Sequence, residues 1–405
     1  MKTIFLSFVL FVSFFATAQQ LSSVEKKLIQ TVEQEMEQTL QLLRQSVDIN
    51  SGTYNIAGVR AVGELYAKEL KALGFVVEWI SLPDSLKRAG HLVAYRKGTK
   101  GKKLFLIGHL DTVFEPDMPA NPFTLLNDST ATGQGVNDMK GGDVAIIAAL
   151  KAMHQYGLLD QTTITVYMTG DEESAGRPRE VSRGDFITRA QQHDIALAFE
   201  TASGMNTIAT ARRGASGWKL EVEGKQGHSS GVFGNAGYGS IYEAARIINS
   251  FRERLSKEQY LTFNPGLIVG GSEVSYNDEA QQGQVAGKTN IISPRTYANG
   301  DLRFLSEEQK ENARSVMREI VGQSLPGTKA SIRFSDGIPS MPPTEGNTKL
   351  AAQLSEVSEA LGFGKVSPGN PGSRGAGDIS YVAKYLDCLD GLGASGRGAH
   401  APGET

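Results

Sequence analysis

The chain almost lacks cysteine: among 405 residues Cys388 stands alone. No intrachain disulfide can form and no zinc site can be built on thiolates. A solitary Cys reads as a small buried hydrophobe. Stability therefore rests on core size, and any metal has to be held by His, Asp and Glu. An excess of either charge is missing too. The 41 Lys and Arg face 44 Asp and Glu, a formal net charge of −3, and no basic block occurs. That balance excludes a broad surface for nucleic acid or an anionic membrane. Long apolar runs are absent with one exception, from Ile4 to Phe15, which follows Lys2 and ends at Ala16-Thr17-Ala18. It is too short to span a bilayer, and its small-x-small ending fits a signal-peptidase site. A signal peptide is expected over 1–18, with Gln19 as the first mature residue. The protein would be exported, to the periplasm or beyond the cell, with no membrane attachment after cleavage. No Cys follows the run, so a lipoprotein anchor is not expected.

What is present has a clear order. Residues 21–47 carry Leu28, Val32, Met36, Leu40 and Leu43 at helical spacing. A second helix is predicted over 57–73, with Gly74 as its stop. The strand-like runs FVVEWISL, HLVAYRK and KKLFLIG follow. After them come a helix behind Gly141-Gly142, the strand TTITVYMTG, a helix over 184–192 and the strand IALAF. This alternation predicts an α/β fold with a mixed, largely parallel sheet flanked by helices. From about 210 the texture changes to WKLEVEG, a helix over 238–255, LTFNPGLIVGG, RTYANGDLRF, a helix over 306–325 and KASIRFS. That is the βαββαβ order of a small α+β unit. The three-proline stretch DGIPSMPPTEG reads as a linker, and the helix KLAAQLSEVSEALG leads back to the first unit. The expected division is 19–209 and 337–405 for the larger domain, with 210–336 inserted.

Three predicted strands of the larger domain run into ligand-type residues. LFLIG runs into His109, ITVYMTG into Asp171-Glu172-Glu173, and IALAF into Glu200. In a parallel sheet the carboxyl ends of strands lie along one edge, where ligands bind. GQGVNDMKGGDVA sets Asp138 in a Gly-rich turn ahead of a helix, and GRGAHAPG sets His400 in a late loop. Each element alone is an ordinary surface feature. Together, with no usable Cys, they form a His and carboxylate mixture suited to a hard-to-borderline divalent ion, zinc above all.

The ordered set GHLDTV, GQGVNDMKGG, GDEESAG, AFE, GHSS and a late GAH resembles the co-catalytic di-zinc metallopeptidase family of glutamate carboxypeptidase, acetylornithine deacetylase and succinyl-diaminopimelate desuccinylase. The resemblance spans nearly the whole mature chain, inserted lid domain included. It implies two zinc ions per chain, replaceable by cobalt or manganese, with Asp138 bridging them. His109 and Glu200 would complete one site, Glu173 and His400 the other. Two such ions about 3.5–4 Å apart share a water and lower its pKa towards about 7. Glu172 would be the general base, passing that proton to the leaving amine. Asp111 would accept the other N–H of His109 and fix its tautomer. In the lid, Arg303 of GDLRF matches the residue that grips the substrate carboxylate. Asn290 of TNIIS matches a polar contact near the scissile group. His228 of QGHSSG matches the histidine that polarises the carbonyl, reaching the partner's site in a homodimer formed through the lid. The remaining His91, His154 and His193 sit in no motif and read as structural or exposed. The lid helix carries Ile241, Ala244, Ile248 and Phe251, expected to pack on the lid's own sheet.

The implied activity is exported metallopeptidase hydrolysis of the C-terminal amide bond of small peptides or N-acyl amino acids. The alternative with the same site is an N-acyl-amino-acid deacylase. A catalytically dead binding protein is disfavoured, because all five ligands and the base are present. An aminopeptidase would need the lid to recognise a free amine, and Arg303 has the wrong charge for that. Two departures from the family pattern stand out. The lid returns through FSDGIPSMPP, without the extra basic character expected of glutamate-cleaving members. Five residues follow His400 where the family continues with a helix.

Overall fold

The computed structural model describes residues 21–278 and 280–405, so the expected signal peptide lies outside the described residues. The first apolar runs form β1 (Val76–Ile80), β2 (His91–Arg96), β3 (Leu104–His109), β4 (Ile164–Thr169) and β5 (Ile195–Ala198). A sixth strand, Asp387–Asp390, joins from the C-terminal segment. The sheet order is β1-β2-β4-β3-β5 followed by that strand. Pairings β4/β3, β3/β5 and β5 with Asp387–Asp390 are parallel, whereas β1/β2 and β2/β4 are antiparallel. The sheet is mixed and largely parallel, as the alternating pattern predicts.

Both faces are covered, which is why β3 and β4 read as continuous apolar runs. On one face α3 (Ile56–Ala72) and α4 (Gly141–Gln155) bury Val59, Val62, Tyr66, Ile147 and Leu150 against Leu106 and Val166. On the other, Phe105, Ile107 and Tyr167 meet Phe186 of α5 (Gly184–Ala190), Val382 and Cys388, the lone thiol being fully buried. The stop of α3 follows from Gly74, which takes φ +78°. Its N–H donates to the Lys71 carbonyl at 3.0 Å and that of Phe75 to Leu70 at 3.2 Å. This paired helix-terminating bond turns the chain into β1.

The N-terminal segment departs from expectation. It breaks at Glu35 into α1 (Ser23–Gln34) and α2 (Met36–Asp48), and Val32, Met36 and Leu40 stay exposed. The buried face is instead Thr31, Leu42, Ser46 and Val47. A spacing rule finds a helical stripe but cannot say which face meets the core.

The second sheet holds β6 (Gly214–Gly224), β7 (Thr262–Gly271), β8 (Arg295–Phe304) and β9 (Thr328–Asp336). Its order is β7-β8-β6-β9, antiparallel throughout. Helices α6 (Gly239–Leu255) and α7 (Glu307–Val321) cover one face through Ala244, Ile247, Phe251 and Met317 over Trp218, Leu220 and Leu302. The expected apolar stripe therefore divides: Ala244 and Phe251 are buried on the lid's sheet, but Ile241 is 49% exposed. A ribbon, Glu273–Asn277 with Gln282–Ala286, is additional. Its polar strands offer too little apolar pattern to be read in advance. Where the chain returns, Arg212 and Met341 exchange main-chain hydrogen bonds of 2.9 and 3.0 Å. The proline-rich stretch is thus anchored, with Met341 fully buried.

Candidate metal centre

Strand β3 ends on His109, β5 runs into Glu200, and β4 leads into the turn of Glu172 and Glu173. Asp138 reaches this edge because α4 starts hard against it. A Cβ on Gly142 would fall 1.9 Å from the Phe199 carbonyl oxygen, so only glycine allows that approach. The Asp138–Met139 peptide is cis.

Two triads result, and they share Asp138. His109 Nε2 lies 3.2 Å from Asp138 Oδ1 and 3.7 Å from Glu200 Oε1. His400 Nε2 lies 3.2 Å from Asp138 Oδ2 and 3.2 Å from Glu173 Oε2. Each oxygen of Asp138 therefore faces a different triad. The carboxylate of Glu172 belongs to neither.

The tautomer of His109 is set by its other nitrogen. Nδ1 sits 2.9 Å from the main-chain carbonyl of Asp111, which can only accept. Nδ1 carries a proton, which leaves Nε2 as the atom facing the triad and able to ligate an ion. This corrects one expectation: the Asp111 carboxylate is farther away, at 3.6 Å. Its oxygens accept instead from Glu172 N–H at 2.9 Å, Glu173 N–H at 3.1 Å and the Thr53 hydroxyl at 2.6 Å. Asp111 aims the histidine with its backbone and the glutamate pair with its side chain.

The electrostatics are those of crowded anions. Burial pushes Glu200 up to about 7, with the Asp138 charge adding to it. Burial and then Glu200 push Glu172 well above the usual carboxylate range. Burial works against protonated His109, yet the contacts with Asp138 and Glu200 outweigh it and hold the imidazole well above its ordinary value. Hydrogen bonds to Asp138 and Glu173 raise His400 to about 10. Glu173 Oε1 is buried with no hydrogen-bond partner. Two imidazoles, several converging carboxylates and an orphaned oxygen fit a pair of divalent cations.

A supporting network gave no signal in the sequence. Arg183, 1% exposed, donates through Nε to Asp378 at 2.8 Å, through Nη1 to the Asp171 carboxylate and through Nη2 to the Asp171 carbonyl at 3.2 Å. Thr169 donates to Asp378 at 2.6 Å. His91 is structural, as read: Nδ1 accepts from Gly170 N–H at 3.2 Å and Nε2 donates to the Ser182 carbonyl at 2.9 Å. These contacts support the turn of Glu172 and Glu173 from below. His193 is held between the Arg189 carbonyl and Thr165, and His154 is exposed.

The lid residues lie in their own neighbourhood. His228 is exposed on a short bridge with Ile291, and Ser229 N–H donates to the Asn290 carbonyl at 2.9 Å. Arg303 on β8 donates from Nε to Asp301 at 2.8 Å. Among the described residues, none of these three makes a hydrogen bond or ion pair to either triad.

Residues 105–405 match the profile of Peptidase family M20/M25/M40. The chain belongs to this family. It is 29% identical over 399 residues to carboxypeptidase G2 of Pseudomonas sp. (strain RS-16), covering 96% of this chain and 89% of that protein. It is 24% identical over 347 residues to succinyl-diaminopimelate desuccinylase of Gluconacetobacter diazotrophicus, covering 84% and 85%. Among solved structures, an aminopeptidase of Bacillus cereus superposes with a TM-score of 0.71 at 19% identity over 91% of this chain and 92% of that one. A dinuclear metal-binding peptidase of Bacillus subtilis gives 0.62 at 16% identity over 92% and 93%. This M20/M25/M40 member is a metal-dependent hydrolase of the peptidase and amidohydrolase kind. Its mixed sheet is the fold of its structural neighbours.

Proposed function

We propose that this family member is an exported di-zinc hydrolase that releases the C-terminal amino acid from small peptides or N-acyl amino acids. The observation that carries the reading is Asp138, which presents one oxygen to each of two triads with Glu172 alongside and in neither. His109, Asp138 and Glu200 would hold one ion, and Asp138, Glu173 and His400 the other. When bound, such ions polarise the scissile carbonyl and acidify water. Glu172 takes the proton of the attacking water and delivers it to the leaving amine. Its main chain is pinned by Asp111 at 2.9 Å, and its carboxyl feels the charges of Glu200, His109 and Glu173.

The lid supplies the substrate contacts in this reading. Asp301 holds Arg303 at Nε, which leaves the outer nitrogens of the guanidinium for a substrate carboxylate. His228 Nδ1 accepts from Ser230 N–H at 3.2 Å, so the neutral ring carries its proton on Nε2. That N–H is suited to a developing oxyanion, and Asn290 stands beside it. A homodimer through the lid is supported by β7, an edge strand, and the exposed Ile241, Tyr242 and Ile268 along it and α6. An unpaired edge flanked by apolar side chains invites a second copy.

Similarity to carboxypeptidase G2 and the signal-peptide pattern favour peptides as substrate. Similarity to a desuccinylase supports the second reading, deacylation of N-acyl amino acids by the same residues. The deciding experiment measures free amino acids released from dipeptides, tripeptides, N-acetyl and N-succinyl amino acids, with and without chelator. Release is expected only where the C-terminal carboxylate is free, to stop with chelator and to return with zinc. Chelator-resistant release, or cleavage of C-terminally amidated peptides at the same rate, would sink the proposal.

A further inference from the structure

Glu404 follows His400 by four positions, in GAHAPGET, and is fully buried. Its Oε1 accepts two main-chain hydrogen bonds, from Asn137 N–H and Asp138 N–H, both 2.8 Å. Its own carbonyl accepts from the Thr132 hydroxyl at 2.6 Å and from Gly133 N–H at 3.3 Å. The residue therefore grips the Asp138 loop at two separate points. The rest of its segment is closed on itself. Arg397 and Thr405 exchange main-chain hydrogen bonds of 2.9 Å each, and Glu404 N–H donates to Ala401 at 3.2 Å. His400 sits within that closed turn and is itself 58% exposed, so its position comes from the turn rather than from packing of its ring.

We infer that Glu404 is a positioning residue that locks the loop of Asp138 to the loop of His400, holding the triad Asp138, Glu173 and His400 in shape. The inference rests on the proposal that the triads hold metal ions. A bridging carboxylate has to point each oxygen at a different ion, so its backbone cannot rotate. The two N–H groups held by Glu404 are those of Asp138 and the residue before it. Contacts of this kind, one step behind the ligands, commonly change metal affinity 10–100-fold when removed. Asp138 is shared, so both triads lose its fixed backbone when Glu404 is removed, but only the triad of Asp138, Glu173 and His400 also loses the closed turn that places His400, and the effect should be larger there.

The test is a chelator-competition titration of the metal-free, full-length protein with zinc, comparing wild type with Glu404→Ala, Glu404→Asp and Glu404→Gln. Gln keeps an acceptor oxygen at the same reach, and Asp keeps the charge but falls short of both N–H groups. One of the two zinc ions should lose affinity about 10–100-fold in the Ala and Asp variants. The other should change less, and Gln should bind almost as wild type does. If Ala fails to fold, the Asp and Gln pair carries the comparison. The inference is overturned if Asp binds both ions as tightly as wild type, if both ions weaken equally, or if Gln is as impaired as Asp. A wild-type protein that takes up no zinc defeats the di-metal reading itself, a different result from variants that match a metal-binding wild type.

Discussion

At His109 and Asp111 two neighbouring residues divide their work in a way that one-dimensional spacing conceals. The carboxyl-end rule puts His109 at the sheet edge as a candidate ligand, and the family resemblance, not the spacing, supplies Asp111 as its helper. Which atom of Asp111 does the helping was not legible, since it depends on how the backbone leaves β3. The carbonyl takes the imidazole N–H at 2.9 Å, and this leaves the carboxylate for the N–H groups of Glu172 and Glu173. That division gives Glu172 a fixed backbone and an uncommitted side chain. Glu172→Gln preserves size and hydrogen bonding but cannot take a proton. Turnover should fall at least about 10²–10⁴-fold, while metal content measured on the same preparation stays at the wild-type level. Substantial residual kcat would transfer the base to another residue, and lost metal would make Glu172 a ligand.

Among the elements, legibility followed burial. β3 and β4 announce themselves because both faces are covered, and β8 was read to its exact ends because the lid strands alternate. The stripe on α1 and α2 misled, since Val32, Met36 and Leu40 remain in solvent, and the ribbon strand Glu273–Asn277 offers only Val274 and Tyr276 in alternation, too little to stand out. Arg183 shows the same limit in a charged residue: nothing in REVSRGDF distinguishes a buried anchor from a surface charge. Its guanidinium holds Asp171, at the turn after β4, and Asp378, in the C-terminal segment. Arg183→Met would leave two carboxylates buried without their cation, at a cost of about 3–5 kcal/mol. Burial alone would raise Asp171, but Arg183 reverses this and keeps it below the usual carboxylate value. The stabilisation is therefore present above the unfolded pKa, about 3.9, and is lost as pH falls through the lower folded value. Urea unfolding should show a large gap between wild type and variant near neutrality that narrows in acid. A gap of constant size would assign the loss to packing rather than to charge.

For the whole molecule, element order anticipates two sheets, the second formed by residues between β5 and Asp387–Asp390, but the completeness of one active site within one chain was not legible. The triads sit on the edge of the large sheet, while His228 and Asn290 sit together on the lid with no bond to either triad among the described residues. An exposed lid histidine and an exposed apolar edge on β7 and α6 are consistent with a site finished by a second copy. The consequence can be measured with two inactive proteins. His228→Ala keeps the base and loses the imidazole, whereas Glu172→Gln does the reverse. Both should bind metal, because neither residue belongs to a triad. Mixed under conditions that exchange subunits, they would form dimers in which one of the two sites has Glu172 from its own chain and His228 from the partner. With random pairing of a symmetric dimer, about a quarter of wild-type activity per site should return. Mass analysis of differently tagged chains would verify the exchange. Exchange without any return of activity would confine His228 to its own chain or remove it from the reaction.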